Sequence, residues 1–286
     1  MSGRGQDPAR GERTSGASRS TVEPRERHIR VARTARYYTL GLSEGAGESS
    51  GDRAAGGATT HDGRTELVRP AGRGGSGEPR PAGSAPRGIW FVCHGYRQLA
   101  GRFVRRFAPL DDGTRLIVAP EALSRFYLDD DGGPHGPDAR IGATWMTRAD
   151  RENEIRDYVD YLDTLYERVF EDSGLDRDVV RVHLLGFSQG AATASRWAAL
   201  GRSRIDRLIL WAGRLAHDLD LDDVAGRLRD VGLTFVIGTE DRFATPGAME
   251  REVARLEREH DIPARLVRFE GGHRMDDATL LELARS

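Results

Sequence analysis

Val182-His183-Leu184-Leu185-Gly186-Phe187-Ser188-Gln189-Gly190-Ala191-Ala192 is the stretch on which the reading of this chain turns. An apolar strand runs directly into Gly-x-Ser-x-Gly, and a small-residue helix with Ala191, Ala192 and Ala194 runs directly out. So sharp a strand-to-helix turn exposes the serine hydroxyl, and its strained backbone needs small neighbours at 186 and 190. The pentapeptide alone is a weak signal in a chain with 35 glycines, but the strand before it and the helix after it make it specific. The bland alternative is a glycine-rich turn with a surface serine.

The flanking sequence alternates in the same way. Upstream, Ile89-Trp90-Phe91-Val92-Cys93 reads as a buried strand, followed by His94-Gly95-Tyr96 and a helical pattern through Leu99, Phe103 and Phe107. Leu116 to Ala119 is a strand closed by Pro120, and a polar loop then leads to Trp145. Ile155, Tyr158, Val159, Leu162 and Leu165 recur at helical spacing. Val179 to Leu185 is a strand, Ala191 to Leu200 a helix, and Gly201 its stop. Strands at 205–211, 233–237 and 264–269 then alternate with helices at 224–228, 249–256 and 278–283. Strict alternation predicts an α/β fold, a mostly parallel sheet covered by helices on both faces.

The first 87 residues differ in character. Ile29 to Leu40 reads as one strand, with Val31, Tyr37, Tyr38 and Leu40 as its apolar content. Residues 1–27 are expected to be a disordered basic tail: residues 1–36 hold nine arginines against Asp7, Glu12, Glu23 and Glu26, which is +5 and leaves −7 of the chain's −2 for the rest. Gly41 to Arg87 carries twelve glycines and four prolines with scarcely a large apolar residue. Such a segment cannot offset its ordering entropy by burial, so a flexible insertion at 41–87 within a domain spanning 28–286 is expected.

Composition narrows the function. The chain has 286 residues, with 43 basic and 45 acidic side chains, and no lysine. That balance gives no global attraction to nucleic acid, although the basic arm keeps phosphate contact open as a minor reading. No apolar run is long enough for a transmembrane helix, no apolar leader opens the chain, and a cytoplasmic setting is expected. Cys93, the one cysteine, can form neither an intramolecular disulfide nor a cysteine zinc cluster. Its neighbour His94 points to the opposite face of a strand, so the two are not a nucleophile pair. Asp218-x-Asp220-x-Asp222 begins like a calcium loop but has Asp223 and Arg229 where glycine and glutamate are needed. Without lysine there is no standard phosphate-binding P-loop.

A serine nucleophile needs a base and an orienting acid, and behind such an elbow they follow in chain order Ser, Asp/Glu, His. After Ser188 only His217, His260 and His273 remain. His260 closes a charged helix and His217 precedes an acidic run, where capping and a surface ion pair are their ordinary roles. His273, in Glu270-Gly271-Gly272-His273 just past the last strand, is the general-base candidate. The strand Phe235 to Gly238 ends in Thr239-Glu240-Asp241, and Asp241 is the acid candidate, with Glu240 in reserve. The oxyanion hole calls for the backbone N–H of Gln189, directly after the nucleophile, and that of Tyr96 in the loop after an early strand.

Gly186-Phe187-Ser188-Gln189-Gly190-Ala191, with His94-Gly95-Tyr96 upstream and Gly238-Thr239-Glu240-Asp241 and Gly272-His273 downstream, resembles the phospholipase/carboxylesterase family, the acyl-protein-thioesterase-like branch of the α/β hydrolases. The resemblance spans about residues 88–286. It implies an α/β-hydrolase fold, Ser188, Asp241 and His273 as triad, Tyr96 and Gln189 as oxyanion positions, and Trp145 as a pocket-lining aromatic. Relatives often have glycine soon after the His-Gly pair, whereas here Arg97 follows Tyr96, and the 41–87 insertion also departs from the pattern. The stretch between Trp211 and Leu233 is too short for a large cap, so the pocket is expected to be open, bounded by the 120–148 loop. The expected activity is hydrolysis of small-molecule carboxylic esters or thioesters, with no metal or organic cofactor. A catalytically silent binding protein on the same scaffold is the alternative.

Overall fold

Alternation along one strand sets the layers. In β2 (Gly88–Cys93), Ile89, Phe91 and Cys93 enter one apolar cluster and Trp90 and Val92 the other, as the two-residue period of a strand requires. All six residues are buried, so β2 lies inside a sheet covered on both faces.

The structure, a computed structural model, describes residues 25–41, 88–129 and 134–285. The expected tail at 1–27 thus lies outside the described residues except for its last three, and the 41–87 insertion except for Gly41. By internal contacts the chain divides into Met1–Thr34 and Ala35–Ser286. Residues 25–34 contain no helix or strand.

In Ala35–Ser286 the strands are β1 (Tyr37–Leu40), β2, β3 (Arg115–Pro120), β4 (Ser124–Tyr127), β5 (Ile141–Thr144), β6 (Arg181–Phe187), β7 (Arg207–Trp211), β8 (Gly232–Gly238) and β9 (Ala264–Phe269). The helices are α1 (Ala100–Phe103), continued by the 3-10 turns Val104–Leu110, then α2 (Arg151–Ser173), α3 (Gln189–Leu200), α4 (Leu221–Arg229), α5 (Pro246–His260) and α6 (Asp277–Arg285). The main sheet runs β1-β3-β2-β6-β7-β8-β9, parallel throughout except for β1. Residues of α2, α3, α4 and α5 pack on one face and those of α1, its 3-10 continuation and α6 on the other. Trp197 and Phe235 are fully buried, and truncating such side chains costs about 3–5 kcal/mol. Among the described residues no helix is long and apolar enough to cross a membrane.

Three sequence readings shift. The first strand begins at Tyr37, not Ile29: Ile29 is 87% exposed and Val31 78%, and the pairing with β3 covers only Tyr37 to Leu40. Apolar residues spaced among arginines supply no strand without a ladder partner. Gly201 does end α3, but in an extended conformation (φ −72°), not a left-handed one. Glycine fits there because a Cβ would lie 2.5 Å from Trp197 Cδ1. The polar stretch before Trp145 holds an unforeseen antiparallel hairpin, β4 paired with β5, whose short strands offered no apolar run.

Candidate active site

β6 delivers Ser188 at φ 56°, ψ −117°, and α3 begins at the next residue. A left-handed φ at a non-glycine residue is strained, and close packing holds it. A Cβ on Gly186 would lie 2.1 Å from Gly190 O, and one on Gly190 only 2.2 Å from Cys93 O. The Ser188 N–H donates to Trp211 O at 2.9 Å, locking the elbow to β7.

The acid and base loops meet backbone to backbone. A Cβ on Gly238 would lie 2.3 Å from Gly271 O, and the Glu240 N–H donates to that same carbonyl at 2.8 Å. This contact brings His273 between Ser188 and Asp241. His273 Nε2 lies 2.9 Å from Ser188 Oγ, and His273 Nδ1 lies 2.8 Å from Asp241 Oδ2. Asp241 is buried, and its Oδ1 accepts the N–H groups of Phe243 and Ala244 at 2.8 and 3.0 Å. With those bonds the carboxylate has one orientation, its second oxygen toward the ring. Glu240, the reserve carboxylate, is exposed. His217 is exposed too, and His260, at the end of α5, pairs with Asp222 at 3.2 Å.

A cavity of about 390 Å³ opens over Ser188 and His273, walled by Tyr96, Phe243, Arg214 and the 212–213 turn. Phe243 meets the His273 ring edge-on with centroids 4.9 Å apart. Tyr96 stacks on Phe126 of the hairpin at 5.5 Å. Among the described residues the Tyr96 and Gln189 N–H groups have no hydrogen-bond acceptor, which leaves both for a ligand.

Side chains that the sequence reading passed over hold the loop carrying the Tyr96 N–H. The buried His94 ring accepts the Ala122 N–H at Nε2 (3.1 Å), so its proton sits on Nδ1, 2.8 Å from Gly95 O. Burial lowers its pKa, which keeps it neutral. Glu121, beside Ala122, is buried and accepts from Arg36 at 2.6 Å, Arg125 at 3.0 Å and the Ala100 N–H at 3.3 Å. Burial alone would raise its pKa, but these hydrogen bonds from Arg36 and Arg125 hold it below the ordinary value. Arg97 takes the left-handed φ of 67° and donates its N–H to Ala143 O at 2.9 Å. That conformation explains why glycine would suit this position.

Gln189 acts through its side chain as well. Its Nε2 donates to Thr144 Oγ1 at 2.9 Å and Met146 O at 3.1 Å, and its Oε1 accepts the Trp145 N–H at 3.2 Å. Trp145 itself is not on the cavity wall. Its indole is buried against Tyr158 and His94 and donates to His94 O at 2.8 Å, so it packs behind the loop that carries Tyr96. Cys93 and the acidic run at Asp218 have ordinary explanations. Cys93 is in the core, where burial pushes its thiol up. Asp218 is gripped by Arg196 at 2.6 Å and Arg151 at 2.9 Å. Only α4 lies between β7 and β8, so no large cap stands there.

The architecture is the α/β-hydrolase fold. Esterase PE8 superposes with a TM-score of 0.51 at 19% identity, over 70% of this chain and 91% of that chain. Acyl-protein thioesterase 2 of Zea mays gives 0.52 at 15% identity, over 72% and 94%. A carboxylesterase from Mesorhizobium loti gives 0.50 at 20% identity, over 69% and 87%. No protein-family model and no curated protein sequence matches this chain.

Proposed function

We propose that this chain is a serine hydrolase of the phospholipase/carboxylesterase type, cleaving carboxylic esters or thioesters through an acyl-enzyme. The observation that carries the reading is the line of hydrogen bonds from Ser188 Oγ through His273 to buried Asp241, at 2.9 and 2.8 Å, on a strained elbow.

Ser188 Oγ attacks the acyl carbonyl while His273 Nε2 takes its proton. Asp241 accepts the Nδ1–H, which fixes the tautomer and stabilises the imidazolium as it forms. The carbonyl oxygen gains charge between the Tyr96 and Gln189 N–H groups, and one such donor contributes about 3–4 kcal/mol to the transition state. His273 then gives its proton to the departing alkoxide or thiolate. Water enters, loses a proton to His273 and attacks the acyl-enzyme, releasing the carboxylic acid and restoring Ser188. Each step draws only on side chains, backbone N–H groups and water. The esterase and thioesterase names of the structural neighbours agree with this chemistry.

Ser188→Ala tests it. Hydrolysis of p-nitrophenyl acetate and of an acyl thioester should fall more than about 10³-fold, and covalent labelling by a fluorophosphonate should vanish. Undiminished turnover in that variant would refute the mechanism. Stoichiometric ester binding by the wild type, with no product and no labelling, would point to a silent binding protein instead.

A further inference from the structure

The hydrolytic steps leave one group of the cavity unused, a positive charge. Arg214 lines the cavity beside Tyr96, Ser188, Phe243 and His273. Its guanidinium is exposed and, among the described residues, makes no ion pair, hydrogen bond or ring contact. Arg274 donates to Glu270 O and pairs with Asp276, and Arg196 and Arg151 hold Asp218. Among the described residues no acidic side chain lines the cavity, so none of them there neutralises Arg214.

The backbone under Arg214 is built to hold it near the nucleophile. Ala212 is left-handed at φ 50°, and its N–H donates to Val236 O at 2.8 Å. A Cβ on Gly213 would lie 2.4 Å from Ala191 Cβ and 2.8 Å from Ser188 O. A non-glycine residue in the left-handed region, as Ala212 is, costs about 1 kcal/mol or more. The fold therefore holds this turn down on the elbow, and the next side chain is Arg214.

We propose that Arg214 is a specificity-determining residue that binds an oxyanion, carboxylate or phosphate, carried by the ester bound over Ser188. The inference rests on the serine-hydrolase reading and narrows it to anionic esters. The planar guanidinium fork matches both groups, and a concave site with one sign of charge also steers such substrates inward. Tyr96 and Phe243 supply apolar walls for the carbon chain between the ester and the anion.

The test compares p-nitrophenyl esters of one chain length whose far end is a carboxylate, a phosphate or a methyl-capped carboxylate. A matched acetate series places the same charge on the phenol. The full chain, Arg214→Gln and Arg214→Lys are assayed at low and high ionic strength. The kcat/KM ratio of an anionic to a capped ester should be about tenfold or more in the wild type and shrink with salt. It should approach unity in Arg214→Gln and recover in part in Arg214→Lys. The series that gains identifies carboxylate or phosphate and the side of the ester that carries it. A wild-type ratio near unity in every series, or a ratio that survives in Arg214→Gln, overturns the proposal. If the wild type hydrolyses none of the esters, it is the hydrolase reading that fails. Calorimetric binding to Ser188→Ala and to Ser188→Ala/Arg214→Gln then decides the anion site by itself: tighter binding of the anionic ester, lost with Arg214, upholds it, and equal binding sinks it.

Discussion

The two sides of the cleft over Ser188 are held by different means. The side with Ser188, Asp241 and His273 is fixed by main chain on main chain: Gly190 against Cys93 O, Gly238 against Gly271 O, Ser188 N–H to Trp211 O. The side with the Tyr96 N–H has main-chain bonds of its own, among them Arg97 N–H to Ala143 O, but leans more on side chains, with His94 bonded to Ala122, Trp145 to His94, Gln189 to Met146 and Glu121 to Arg36 and Arg125. Main-chain contact admits nothing larger than hydrogen, so it requires glycine at set distances from the reacting groups. A side-chain network can be built from many residue types distant in sequence, and it adjusts where packed backbone cannot. The first side should break when touched, and the second should bend.

The largest expected effect is at Asp241. In Asp241→Asn the carbonyl oxygen can still accept the Phe243 and Ala244 N–H groups, so the loop should hold. The amide then faces His273 Nδ1 and favours the wrong tautomer. We expect kcat to fall roughly 10⁴-fold with little change in Tm. A loss under tenfold would show that the side fixed by backbone does not carry the chemistry.

Gly190→Ala comes next. Its Cβ would lie 2.2 Å from Cys93 O and 2.6 Å from His94 O, so α3 or β2 must move. We expect destabilisation of about 1–3 kcal/mol by urea unfolding, together with a fall in kcat. Full stability and full activity would mean that the elbow tolerates a methyl group and that the contrast between the sides is false.

Gln189→Ala probes the side that should bend. The backbone N–H proposed to meet the oxyanion remains, while the bonds to Thr144, Trp145 and Met146 go. A tenfold loss in kcat/KM, falling mainly on kcat, is the expected order, with about 1–2 kcal/mol of stability lost. A collapse as deep as that of Asp241→Asn would put both sides on the same footing.

The same contrast explains what could be read in the sequence. Apolar runs marked the inner strands of the main sheet, because burial on both faces leaves little room for polar residues, whereas the exposed edge strand β1 begins at Tyr37 and not at Ile29. The hairpin was invisible: Ser124-Arg125-Phe126-Tyr127 is half exposed and owes its pairing to β5 across a polar loop. At the site, glycines stand beside Ser188, Asp241 and His273, the residues singled out from the sequence, and those three lie within hydrogen-bond distance. Nothing local marked His94 as an acceptor for Ala122, or Glu121 as the clasp of Arg36 and Arg125. The resemblance puts Trp145 on the pocket wall, but an aromatic at that position looks the same in sequence whether its indole meets a substrate or a buried carbonyl. Arg214 left no trace among so many arginines, and only the turn beneath it distinguishes it.

Acid should separate the two sides by the smallest effect. His183 lies on β6, the strand that ends in Ser188, and stacks on Trp90 at 4.7 Å. Burial, reinforced by the charge of Arg207, lowers its pKa from 6.5 to about 4. A histidine whose folded pKa is lowered favours the native state fully above the unfolded value and loses that advantage as pH falls through 6.5 toward 4. The loss is on the order of 2 kcal/mol by the bottom of that window. His183→Phe keeps a ring for the stack and removes the titration, so the fall in Tm between pH 7 and pH 4.5 should be about 4–8 °C smaller than in the wild type. The kcat/KM profile should keep its shape, since His183 is remote from the reacting atoms. Burial lowers the His94 pKa in the same direction, and its protonation would break the Ala122 bond that holds the loop bearing the Tyr96 N–H. His94→Gln should therefore flatten the acid limb of stability and also lower kcat at neutral pH. Equal effects of the two substitutions on kcat would mean that the loop bearing the Tyr96 N–H does not depend on its side-chain anchors.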